Sequence, residues 1–281
     1  MGITFSIVNE KGGVGKTTTT VSLGGAYAKS GRKTLLIDMD PQASLTRGLI
    51  GSVETDGLPA ESTVAALFDE DLFVEPSQLI VPTSFPNLSL LPGSRLLKPL
   101  NRLEPFEYGS RQFVLRELVN EMHGAFDRIL IDNPPNLEFC SWASMTASDY
   151  VITPLQAEDY GAQGIQFVNQ AVETIRAATN PRLVLLGYVR TMYQKRASIH
   201  VAYSETIKAN FPGMLFENFI PHATQFREAV MVRKPMPFYK PRIEASKAVG
   251  RVIDEIEERI RSLSVPSVLE MPSVSEVKEV A

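Results

Sequence analysis

The chain has 281 residues, 44% of them hydrophobic and 21% charged, with a formal net charge of -4. That length suffices for one substantial core, the charge excludes a globally basic nucleic-acid binder, and the lone cysteine, Cys140, excludes a disulfide framework or a Cys-x-x-Cys metal pair. No stretch reaches the roughly 18–20 apolar residues of a membrane span, and a strand begins almost at the first residue, so a cytosolic chain without signal peptide or membrane anchor is expected.

Residues 4–8 read as a short buried strand. They lead into Lys11-Gly12-Gly13-Val14-Gly15-Lys16-Thr17-Thr18. Small residues there let backbone N–H groups close around phosphate oxygens, a lysine reaches the outer phosphates, and a hydroxyl holds Mg²⁺. A helix over 16–30 follows, with its N-terminus aimed at the phosphates. In the usual G-x-x-x-x-G-K-[ST] spacing a glycine stands where this chain has Glu10, and a second lysine, Lys11, follows it. Residues 34–38 form the next strand and end in Asp38-Met39-Asp40-Pro41-Gln42. Ligands of open α/β sheets bind at that edge. On an extended chain the two carboxylates lie on one side, about 7 Å apart. One is placed to serve Mg²⁺ through water and the other to position an attacking water.

From 49 to 81 the chain holds seven acidic residues and no Lys or Arg. This segment reads as an insertion with helical fragments such as 64–68. Strand 88–92 and helix 108–121 come next. Strand 128–132 is apolar and ends in Asp132, a layout that puts an oxygen ligand beside the phosphates. Helix 142–147, strand 150–154, helix 161–178, strand 183–191, helix 198–210, strand 215–220 and helix 244–262 complete the alternation. The strands are continuously apolar, as in a parallel sheet buried on both faces. The expected fold is therefore α/β, a three-layer sandwich with a mostly parallel twisted sheet covered by helices. One domain over 1–263 is expected. The tail 264–281, with Pro266 and Pro272, lacks a sustained helical period and is expected to be disordered.

Arg182 to Arg251 holds twelve Lys or Arg against four Glu and no Asp, a local excess of +8. An excess of that size suggests a polyanion-binding face. His123, His200 and His222 show no ligand spacing. Phe211, Phe216, Phe219 and Phe226 read as core.

On these residues the chain resembles the ParA family, the deviant Walker A P-loop ATPases that segregate plasmids and chromosomes, and especially its short Soj-like branch. The resemblance runs from about residue 4 to 260. It rests on K-G-G-V-G-K-T-T-T at 11–19, D-M-D-P-Q at 38–42, I-D-N-P-P at 131–135, T-P-L-Q-A-E at 153–158, T-M-Y-Q-K-R at 191–196 and R-E-A at 227–229. Family members usually read Cys-Pro-Pro-Ser where this chain has Asn133-Pro134-Pro135-Asn136, and Ser-Glu-Ala near Arg227.

The resemblance implies ATP and Mg²⁺ as cofactors. It implies nucleotide contacts from residues 11–18 with Met192 and Pro221, and metal ligation through Thr17, Asp38 and Asp132. Lys11, Lys16 and Asp40 would be catalytic, with Lys11 reaching the nucleotide of a second subunit. It further implies an ATP-dependent homodimer bound non-specifically to double-stranded DNA and released when a ParB-like partner stimulates hydrolysis, hence a cytoplasmic, nucleoid-associated protein. Lys195, Arg196, Arg227, Arg233, Lys234 and Lys240 are the expected DNA contacts, with Arg242 in the same basic portion. Iron–sulfur relatives are excluded by the single cysteine. A MinD-like membrane ATPase fits poorly, because the last eighteen residues carry three Glu against one Lys and two prolines. A ParA-like ATPase that positions a non-DNA cargo through an adaptor stays open. A dead nucleotide site is disfavoured, since Lys16, Asp38, Asp40 and Asp132 are all present.

Overall fold

A computed structural model describes residues 2–72, 74–103, 107–157 and 161–264. Seven strands make one sheet: β1 (Ile3–Ile7), β2 (Thr34–Asp38), β3 (Val81–Pro82), β4 (Leu88–Leu91), β5 (Arg128–Asp132), β6 (Tyr150–Gln156) and β7 (Val184–Thr191). Their spatial order is β3-β4-β2-β5-β1-β6-β7. All pairings are parallel except the two-residue β3 against β4. Along the inner strands, alternate residues enter different cores. Leu36 and Leu130 face one, with Phe5 and Ile7. Leu35, Ile37, Ile129 and Ile131 face the other. That is why these segments read as unbroken apolar runs.

The helices are α1 (Lys16–Lys29), α2 (Ser44–Ile50), α3 (Ser52–Asp56), α4 (Leu97–Leu100), α5 (Arg111–Met122), α6 (Phe139–Thr146), α7 (Gly161–Ala178), α8 (Ser198–Asn210), α9 (Thr224–Met231), α10 (Met236–Tyr239) and α11 (Glu244–Ser264). Residues from α1, α9, α10 and α11 cover the face that holds Phe5 and Leu36. Residues from α5 and α6 cover the opposite face. The acidic segment joins them there: 3-10 turns at Val64–Phe68 and Pro76–Leu79 bring Val64, Phe68 and Leu79 into that core. Among the described residues no helix is long and apolar enough to cross a membrane.

Two expectations need correction. Residues 215–220 are not a strand; two isolated bridges, Tyr188 to Leu215 and Tyr193 to Pro221, and the Ile220 N–H on the Arg190 carbonyl at 2.8 Å tie this stretch to β7 and the residues just after it. Side chains take several of the backbone groups a continuous ladder would need. The Glu255 carboxylate accepts from the N–H groups of Glu217 and Asn218 at 2.9 and 2.8 Å. Arg190 donates to the carbonyls of Phe216 and Glu217, both at 2.8 Å, and Arg259 to that of Leu215 at 2.9 Å. The second correction concerns Asp38 and Asp40. The strand ends at Asp38, and the Asp40 N–H turns back to donate to Asp38 Oδ1 at 3.2 Å, so the extended-chain spacing does not apply. The expected disorder of the tail falls on residues 265–281, outside the described residues, apart from Ser264, which closes α11.

Candidate nucleotide-binding site

The C-terminal edge of the sheet gathers the loop after β1, the carboxylates ending β2 and β5, and the ends of β6 and β7. Gly13 and Gly15 have φ of +79° and +85°, a region where a Cβ is strained. Gly15 immediately precedes α1, whose first turn leaves its N–H groups without helical partners. A Cβ on Gly13 would meet nothing within 4 Å, so the loop is open beside it. Asn9 fixes the loop's entry. Its Nδ2 donates to the Pro154 carbonyl at 2.7 Å, and its Oδ1 accepts from the Lys11 N–H at 2.9 Å. Lys16 lies buried across the loop, with Nζ donating to the Lys11 carbonyl at 2.7 Å. Burial lowers the Lys16 pKa, opposed by the charges of Asp132 and Asp40.

Asp132 and Asp38 are partners in the β2–β5 ladder. Thr17 Oγ1 donates to Asp132 Oδ2 at 2.7 Å and Thr20 Oγ1 to Oδ1 at 3.0 Å. Thr46 donates twice to Asp38 Oδ2, from N at 2.8 Å and from Oγ1 at 2.6 Å. The Gly93 N–H donates to the same Thr46 hydroxyl at 2.8 Å. A side chain at position 93 would put a Cβ 2.7 Å from Asp38 Cγ. Asp40, 8% exposed, accepts from the Gln42 N–H at 2.8 Å.

Burial raises the Asp132 pKa to about 8, the charge of Asp38 adding to it against the hydroxyls of Thr17 and Thr20. Burial raises Asp38 to about 7 against the donors on Thr46. Asp40 is raised by burial and lowered by the Gln42 N–H and Lys16. Two buried carboxylates beside a hydroxyl form a hard oxygen donor set that a divalent cation would stabilise. No described group of three or more His, Cys, Asp or Glu could hold a metal alone. Two carboxylates and a hydroxyl fit Mg²⁺, an ion that commonly takes one or two carboxylates and fills its remaining positions with phosphate oxygens and water.

Next to the loop lies a cavity of about 450 Å³ lined by Gly13, Gly15, Thr18, Met192, Pro221 and Arg227, among others. Its volume suits a nucleoside. Met192 holds the left-handed region at φ +50°. The structure thus brings the expected contacts Met192 and Pro221 to the glycines 13 and 15 of the loop.

It also places Arg227, expected on the DNA face, at the wall of this cavity. Lys195, Arg196, Arg227 and Lys234 are exposed. Lys195 lies over the Phe219 ring, 5.2 Å from its centroid. Lys240 is tied to Glu228 at 2.7 Å. Arg233 lies 3.7 Å from Glu54 and donates to the Ile50 carbonyl. These last two are therefore partly committed within the fold. His123 is a packing residue, its Nε2 3.0 Å from Thr4 Oγ1.

Sequence reasoning missed Asn9, Thr20, Thr46, Gly93 and Thr191. Thr20 belongs to the visible run of threonines after Lys16, Asn9 accepts from an N–H only two residues on, and Thr191 opens the T-M-Y-Q-K-R stretch. Thr46 and Gly93 meet their partners across the fold and carry no local signature.

A family model described as an AAA domain matches residues 2–185. The chain is 32% identical to the chromosome partitioning protein ParA of Caulobacter vibrioides (strain NA1000 / CB15N) over 260 residues, which cover 92% of this chain and 94% of that one. It is 33% identical over 256 residues to the sporulation initiation inhibitor protein Soj of Bacillus subtilis (strain 168), covering 91% and 98%. Among solved structures, the cobyrinic acid a,c-diamide synthase of Mycobacterium smegmatis with bound ADP and magnesium superposes with a TM-score of 0.76 at 26% identity, over 98% of this chain and all of that one.

Proposed function

This chain belongs to the ParA/Soj family of partitioning ATPases, and from that premise we propose that it cycles between an ATP-bound dimer on non-specific double-stranded DNA and a released, ADP-bound form, with a ParB-like partner stimulating the hydrolytic step. The protein is an ATPase, with ATP and Mg²⁺ as its cofactors. The observation that carries the reading is the assembled cradle: the 11–18 loop, the Thr17–Asp132 pair and the adjoining cavity meet at one sheet edge.

In that cradle the backbone N–H groups of the loop bind phosphate oxygens. Lys16 exchanges its bond to the Lys11 carbonyl for the outer phosphates. Thr17, Asp38 and Asp132 would hold Mg²⁺, which would supply charge neutralisation at the phosphates. Asp40, held by the Gln42 N–H, orients the attacking water, so its work is in turnover more than in affinity. Met192 and Pro221 bracket the base. Gly12 is exposed, and a Cβ there would meet only Pro135 Cβ at 3.9 Å. Position 12 therefore leaves room for a second subunit to approach closely, and Lys11 would reach that subunit's nucleotide.

Lys195, Arg196 and Lys234 supply phosphate contacts that give affinity without base reading. Such a protein works in the cytoplasm on the nucleoid. The test is a mobility-shift titration with random-sequence duplex at several salt concentrations, with ATP and with ADP. ATP should support binding that weakens steeply with salt. Lys195→Glu with Arg196→Glu should lower the slope of log K against log salt by roughly 0.9 per lost contact. Equal binding in ATP and ADP, or none at low salt, would overturn the cycle.

A further inference from the structure

Thr191 ends β7 and is 2% exposed. Its hydroxyl faces two carbonyl oxygens, Val14 at 2.7 Å and Leu155 at 3.1 Å. Val14 stands inside the phosphate loop, and its carbonyl shares a peptide plane with the Gly15 N–H. In a trans peptide the carbonyl and the N–H point in opposite directions. A donor that holds the Val14 oxygen toward β7 therefore turns the Gly15 N–H away from β7. Gly15 has no side chain to restrict that plane, and its φ of +85° is one that the loop must maintain. A Cβ at Gly15 would lie 3.6 Å from Thr191 Cβ, so the two backbones are in close approach. The residue after Thr191 is Met192, held at φ +50° on the wall of the neighbouring cavity.

We propose that Thr191 is a positioning residue for the nucleotide: its hydroxyl orients the Val14–Gly15 peptide so that the Gly15 N–H faces the phosphates, and it joins that setting to the Met192 wall of the base cavity. The loop's lysine and threonine do not supply this constraint. Lys16 bonds the Lys11 carbonyl, and Thr17 bonds Asp132; neither touches the Val14 oxygen. Without the Thr191 hydroxyl the Val14 carbonyl has no hydroxyl donor at hydrogen-bond distance, and the peptide is free to rotate. The phosphate cradle would then have to be ordered by the nucleotide, at the expense of affinity.

The inference rests on the ATPase reading, and the experiment separates the two. Affinities for a fluorescent ATP and a fluorescent ADP are measured for the wild-type chain and for Thr191→Val, Thr191→Ser, Thr191→Ala and Lys16→Ala, each with its thermal melt. Thr191→Val keeps the shape and removes the hydroxyl; Thr191→Ser keeps the hydroxyl. Val and Ala variants with a cooperative melt should bind both nucleotides about tenfold or more weakly. The Ser variant should stay within about threefold of wild type, a rescue that loss of packing would not produce. Wild-type affinity in a folded Val or Ala variant overturns the inference, as does equal loss in Val and Ser. If Val fails to fold, Ala and Ser decide on the same terms. Wild-type affinity in Lys16→Ala would overturn the nucleotide-site reading itself, whatever position 191 does.

Discussion

Loading this site with Mg·ATP should release protons. Asp38 and Asp132 are both 0% exposed and adjacent in the β2–β5 register. Burial drives both carboxyls up, to about 7 and about 8. Groups this close titrate as a pair, so near neutral pH the two together hold about one proton. A divalent cation requires them ionised. Mg·ATP binding near pH 7 should therefore expel about one proton, and each proton expelled weakens binding up to about tenfold per pH unit as the pH falls.

The sign for the nucleotide-free protein follows from the same shifts. The folded chain binds protons that the unfolded chain, with carboxylates near about 4, does not. This contribution favours the fold at low pH. It is lost as pH rises from that value through the folded values of about 7 and about 8. Mg·ATP should restore melting temperature most strongly at the alkaline end. Titration calorimetry at pH 7 in buffers of different ionisation enthalpy reads the proton number as a slope. Asp132→Asn, run in the same buffers, cancels the nucleotide's own protonation and should lower that slope. A wild-type slope of zero, or an unchanged slope in Asp132→Asn, refutes the reasoning.

Gly12→Val should bind ATP but sediment as a monomer. Its Cβ meets nothing nearer than Pro135 at 3.9 Å, and Gly12 is not among the left-handed glycines, so the monomer tolerates the side chain; a full dimer with ATP would count against a close approach at this position. Asp40→Ala should leave ATP affinity within a few-fold of wild type and lower turnover at least about a hundredfold, the usual scale for a positioned acid–base group. Unchanged turnover, with or without a stimulating partner, would remove Asp40 from the mechanism.

Much of the sheet could be read directly from the sequence, because inner strands such as β2 and β5 send alternate side chains into two different apolar cores and so leave an unbroken apolar run. The short helices could not. The N-terminal caps of α2, α3, α9 and α10 are Ala43, Gly51, Ala223 and Pro235, and none makes a side-chain capping bond. The Ser, Thr, Asp or Asn signature that marks a helix start is missing there. Stretch 215–220 has a strand's composition, yet carboxylate and guanidinium groups of Glu255, Arg190 and Arg259 occupy its backbone. Those partners lie up to about forty residues away, beyond any local pattern.

The candidate site divides the same way. Lys11, Lys16, Asp38, Asp40 and Asp132 stand out because a charge at the end of an apolar strand or in a glycine loop needs a reason. The groups that aim them are neutral: Asn9 on the loop entry, Thr20 on Asp132, Thr46 on Asp38, and Thr191 on the Val14 carbonyl. Threonine and asparagine are common in turns and strands, so their presence alone points to no partner. Yet each donates at 3.0 Å or less or accepts within that distance, and each acts on a buried or part-buried group whose desolvation would otherwise go uncompensated. Charge in the sequence thus locates the chemistry, whereas its orientation depends on neutral hydroxyl and amide groups brought in by the fold. A substitution at Thr46 or Thr191 should therefore damage nucleotide handling while leaving the phosphate loop and every carboxylate of the site intact.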